Sequence, residues 1–71
     1  MSRYLVIIEE SATGYSAFLP DLPGCIATGA TRDELEKVMQ AGVEFHVEGL
    51  RESGEPVPPP RSTATYVEVA A

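Results

Sequence analysis

Five consecutive apolar residues, Tyr4, Leu5, Val6, Ile7 and Ile8, precede a polar run at residues 9–14 and a second apolar-rich stretch at residues 15–19. β-Branched and aromatic side chains suit a pleated, half-buried surface, so this pattern predicts a hairpin with a rather long loop. Pro20 and Pro23 frame a tight bend, because each fixes its own φ and lacks a donor. Gly24 lets the chain leave that bend, and residues 25–28 read as a short third strand. Gly29-Ala30-Thr31 then leads into one clear helix, with Thr31 and Glu34 spaced as a capping box and Asp33 beside them at the positive end of the dipole.

The helical spacing of Leu35, Val38, Met39, Gly42, Phe45, His46, Gly49 and Leu50 predicts a buried face that stops at Gly54, about twenty residues or roughly 30 Å on. Gly42 and Gly49 each cost about 1 kcal/mol against alanine, which predicts a close approach of helix backbone to sheet. Residues 55–60, with four prolines, form a stiff extended connector. At residues 63–69, Thr65, Val67 and Val69 alternate with Ala64, Tyr66 and Glu68, the pattern of a strand with unlike faces.

The expected order is β-β-β-α-β, an α+β fold. A right-handed crossover sets the last strand beside the first, giving a four-stranded sheet of order 3-2-1-4 with the helix on one face. The first strand is then central, with Leu5 and Ile7 on one side and Tyr4, Val6 and Ile8 on the other. One helix covers one side, so the second side or an open strand edge calls for a partner.

Length sharpens that expectation. Seventy-one residues make a single domain, 1–71, that buries only roughly 60–65% of its unfolded surface. Cys25 is the only cysteine, so no disulfide within the chain can help, and Cys25 with His46 makes no recognisable metal-ligand spacing. No cofactor motif is present, since Gly24 and Gly29 lack the lysine and spacing of a phosphate loop. Homo-oligomerisation is the expected remedy, as a dimer or larger.

Eleven acidic against five scattered basic residues give a net charge of −6. Nucleic acid needs clustered cations, so no direct DNA binding is expected, whereas a basic protein would be drawn in by the same field. Five apolar residues are too few for a signal core or a membrane span, and the expected location is the cytoplasm. Glu44, Glu48 and Glu52 form an i, i+4 row that reads either as a solvated face or as a ridge for a basic partner. Val43 and Val47, at the flank of the apolar stripe, read as a wide core or as a contact surface. His46 fits a packed histidine and Cys25 a small buried hydrophobe. Glu9, Glu10 and Asp21 are the only acids that suggest a metal-dependent nuclease remnant, and three turn-borne carboxylates fall short of a two-metal site.

Tyr15-x-Ala17, Pro20-Asp21-Leu22-Pro23-Gly24-Cys25, Gly29-x-Thr31 with acids opening the helix, and Gly54-x-x-Val57-Pro58 together resemble the signature of HicB-type antitoxins over nearly the whole chain. The resemblance implies a partial RNase-H-like domain that binds a HicA-type toxin, a small basic mRNA-cleaving ribonuclease, and blocks its catalytic surface. Many members add a DNA-binding domain, and none is expected in this chain. The expected function is therefore non-enzymatic antitoxin binding; a nuclease remnant or a purely structural homo-oligomer are the alternatives. Candidate partner contacts are Tyr15, Phe18, Asp21, Val43, Glu44, Val47 and Glu48, with Pro20, Pro23, Gly24, Gly29, Thr31 and Glu34 as the structural motif.

Overall fold

The computed structural model describes residues 2–70. Strand β1 (Ile7–Ser11) turns through Ala12 and Thr13 into β2 (Gly14–Phe18), and β3 (Ile26–Gly29) follows. The helix α1 spans Arg32–Glu52. All pairing is antiparallel, in the order β1-β2-β3.

The expected four-stranded sheet of order 3-2-1-4 does not form. Residues 55–70 have no regular secondary structure, and the outward edge of β1 has no strand neighbour. Alternation at residues 63–69 specifies an extended chain with two faces, but where that chain lies depends on how the connector before it is held. The first hairpin also sits later than expected. Glu9, Glu10 and Ser11 belong to β1, opposite Ser16, Tyr15 and Gly14, and the loop shrinks to two residues. Polar side chains are acceptable there because this end of the strand is exposed.

Register explains the layers. Ile8, Ala17 and Ala27 face one another across the three strands on the helix side, while Ile7, Phe18 and Ile26 form the matching row on the other side. Leu22 and Leu35 are fully buried, and Ala17, Leu19, Cys25 and Met39 complete the core. Tyr4, Val6, Val43 and Val47 pack around it.

The helix begins as its sequence demands. The Thr31 hydroxyl accepts the Glu34 N–H at 3.2 Å, one half of a capping box. It ends in a Schellman arrangement, in which the Glu55 N–H donates to the Leu50 carbonyl at 2.9 Å and the Gly54 N–H to that of Arg51 at 3.1 Å. Its buried face, however, is Leu35 and Met39, continued by half-buried Val43 and Val47 at a spacing of four. Val38, Gly42, Phe45 and Gly49, expected inside, are exposed. A spacing of exactly 3.6 residues cannot tell two neighbouring stripes apart when both carry apolar residues. The close approach lies elsewhere too. A Cβ on Gly42 or Gly49 would meet nothing within 4 Å, whereas one on Gly29 would sit 3.2 Å from the Leu35 backbone nitrogen. The first turn of α1 therefore presses onto β3. The helix packs on β2 and β3 but not on β1, leaving the inner side of the β1 edge uncovered.

Candidate functional site

Three surfaces hold the residues with functional potential. The bend between β2 and β3 is the first. Leu22 is the one large apolar residue between Pro20 and Pro23, and it drops fully into the core. The loop closes on itself: the Leu22 N–H donates to Leu19, the Cys25 N–H to Leu22, and the Leu19 N–H to Cys25. Gly24, at φ +86°, supplies the left-handed step that closure requires. Asp21 is thereby presented outward.

Its carboxylate seizes the far end of the chain. Oδ2 accepts the N–H groups of Arg61 and Ser62, each at 2.8 Å, and Oδ1 accepts the Ser62 hydroxyl at 2.8 Å. The Tyr4 hydroxyl adds a bond to the Pro58 carbonyl. Asp21 is thus a latch for the connector. The Arg61 N–H, then the N–H and hydroxyl of Ser62, hold its carboxyl below the usual value of 3.8. Because the folded pKa is depressed, this stabilisation is present above the unfolded pKa, about 4, and is lost as pH falls through the lowered folded value. We expect the Arg61 and Ser62 amide resonances to shift together only below about pH 4. In an Asp21→Asn variant that titration should disappear. Identical acid titrations in the two proteins would refute the latch.

The second surface is a broad groove of about 910 Å3 along the C-terminal half of α1. Val43 and Val47 floor it beside Tyr4 and Val57, and Glu44, Glu48 and Glu52 rise along its margin. Gln40 donates to Glu44 at 2.8 Å, which orders the head of the acidic row. The arrangement is an apolar strip bordered by three glutamates and one arginine, Arg51.

The third surface is the sheet face opposite the helix. Ile7, Phe18 and Ile26 lie in register across it, with Phe18 and Ile26 exposed. Among the expected contact residues, Val43, Glu44, Val47 and Glu48 come together, while Phe18 faces away from them. Asp21 is engaged by the connector. Tyr15 packs its ring against the core and donates its hydroxyl to Glu10 at 3.3 Å.

The acids of the nuclease alternative do not assemble. Glu9 and Glu10 alternate across β1, Asp21 lies beyond the other end of the hairpin, and no group of three or more metal-ligating side chains occurs among the described residues. Burial pushes the Cys25 thiol up, away from the reactive thiolate. Sequence reasoning overlooked Leu22, whose signal is its isolation between two prolines. It also overlooked Arg61 and Ser62, which carry no local signal because their partner is forty residues away.

The profile of a HicB-like antitoxin of bacterial toxin–antitoxin systems matches residues 4–70. The chain belongs to this family. A UPF0150 protein of Thermoplasma acidophilum is 31% identical over 97% of this chain and 99% of its own length. An uncharacterized 14.9 kDa protein from the rep-hol intergenic region of Haemophilus phage HP1 is 33% identical over 90% of this chain. This chain spans about half of that phage protein, 48% of its length. Among solved structures, a chain of the HicA3 and HicB3 toxin–antitoxin complex superposes with a TM-score of 0.71 at 30% identity, over 83% of this chain and 70% of that one. Among the described residues, no helix is long and apolar enough to cross a membrane.

Proposed function

We propose that this antitoxin binds a HicA-type toxin and neutralises it by covering its mRNA-cleaving surface, with no catalysis of its own. The observation that carries this reading is the likeness to a chain of the HicA3 and HicB3 complex, at an identity and coverage that extend beyond fold alone. The surface best suited to the task is the groove of α1. Val43 and Val47 supply area that excludes water, and Glu44 and Glu48 supply charge opposite to that of a basic toxin. An mRNA target places the activity in the cytoplasm. We also infer that the chain associates with itself, because the row Ile7, Phe18 and Ile26 and the β1 edge both remain open in a single copy.

The direct test is co-expression with the toxin encoded beside this chain. We expect co-purification in equal amounts at low salt and loss of mRNA cleavage in the complex. Failure to isolate a complex at low salt, with cleavage continuing, would refute neutralisation.

A further inference from the structure

Beyond the Asp21 latch the chain leaves the body of the molecule. Tyr66, Val67 and Val69 are 101%, 82% and 80% exposed. The radius of gyration is 14.0 Å, against about 11 Å for a compact chain of this length. Three restraints set the exit direction: the proline run 58–60, the hydrogen bonds of Asp21 to Arg61 and Ser62, and the Tyr4 bond to Pro58. A stiff, doubly anchored connector holds the following segment away from its own domain, the situation that favours exchange between copies.

A receptor for such a segment exists on the same molecule. Because α1 is offset toward β3, an apolar groove of about 870 Å3 remains beside residues 3–8. Leu5, Val6, Ile8, Leu19, Leu35 and Met39 supply its apolar lining, and Arg3, Arg32, Glu36 and Gln40 its polar rim. Ser62 and Thr63 of the same chain reach one end of it before the arm departs. Among the described residues, 2–6 make no backbone–backbone hydrogen bonds, so an extended occupant finds open donors and acceptors along that edge. Length and charge both agree. Residues 63–69 span roughly 23 Å when extended and residues 3–8 roughly 20 Å. Glu68 is the one charged residue of the arm, and Arg3 lies on the groove, where Arg32 is already paired with Glu36 at 3.7 Å.

We propose that residues 63–70 are an exchange arm that lies extended in this groove of a second copy, reciprocally, to form a two-fold dimer. This rests on the self-association inferred above and specifies its means. Within each chain the sheet keeps three strands; the arm acts between chains. Tyr66 by itself brings on the order of 200 Å2 to the contact, and reciprocity doubles every contribution toward the roughly 1,200–2,000 Å2 of a stable interface.

The experiment uses the full chain without toxin. Light scattering coupled to size exclusion should find a dimer. The double variant Tyr66→Asp, Val67→Asp should dissociate at least about 100-fold more readily while keeping its far-UV circular dichroism, since neither residue belongs to the core. With the photo-crosslinker benzoylphenylalanine in place of Tyr66, irradiation of mixed light and heavy copies should join the arm of one to residues 3–8 or to the N-terminal half of α1 of the other. A monomeric wild type overturns both the arm and self-association. A dimer that survives the double variant, or crosslinks confined to one chain, overturns the arm alone. The toxin reading is untouched in every case.

Discussion

Replacing Leu22 with alanine should remove a large share of the stability of this domain. Leu22 is fully buried, with 0% exposure, and its removal costs about 2–5 kcal/mol through lost transfer energy and the cavity left behind. A chain of this length has a total stability of about 4–11 kcal/mol, and small cores rarely reach the upper end. The loop around Leu22 makes collapse into the cavity difficult, because the Leu19–Cys25 hydrogen bonds and two prolines hold its backbone. Asp21, adjacent to Leu22, should lose its position as well, so the connector should loosen with the core. Phe45→Ala is the informative contrast. Phe45 is a larger side chain on the helix stripe but is 82% exposed, and its loss should change stability by no more than about 0.5 kcal/mol. Urea unfolding followed by circular dichroism separates the two. A Phe45→Ala variant that is less stable than Leu22→Ala would mean that α1 turns its other face inward.

Under the proposed toxin-binding role, reversing charge on the helix groove should slow association. Glu44→Lys with Glu48→Lys removes two negative charges and adds two positive ones, moving the net charge from −6 to −2, and concentrates the change on the proposed docking strip. Electrostatic steering changes association rates by about 10–1,000-fold, and a reversal at the contact itself should cost at least about tenfold at low salt. The deficit should shrink as salt rises, because ions screen charges beyond about 10 Å at 0.1 M. Both glutamates are exposed, so the fold should tolerate the change. Ile26→Asp serves as the control on the opposite sheet face and should leave the association rate within about twofold. Stopped-flow or surface-based kinetics against the cognate toxin reads all three proteins. Equal rates for the charge-reversed and parent proteins would remove the α1 groove from the interface, and a loss confined to Ile26→Asp would assign the toxin to the sheet.

The bend motif joins local shape to a long-range contact. Pro20, Pro23 and Gly24 shape the loop, Leu22 anchors it, and Asp21 on its outer side captures Arg61 and Ser62. Asp21 is among the candidate partner contacts. The structure employs its carboxylate within the chain, where it governs the direction in which residues 63–70 leave.

Local chemistry was enough to specify three strand-forming segments, the proline-framed bend, the Thr31 cap and the Gly54 stop, because each depends on residues within a few positions of one another. Net charge is likewise a sum over the chain, readable without coordinates, and it directs attention to a basic protein partner. Three matters required the tertiary structure. Which helix stripe is buried depended on the angle at which α1 meets β3 at Gly29, since Val38 and Phe45 are as apolar as Val43 and Val47. The extent of β1 depended on pairing with β2, which draws Glu9 and Glu10 into the strand. The fate of residues 63–69 depended on a bond between Asp21 and Ser62 across forty residues of chain. Alternation encodes that a segment can be extended with two unlike faces; only long-range contacts decide what lies beside it.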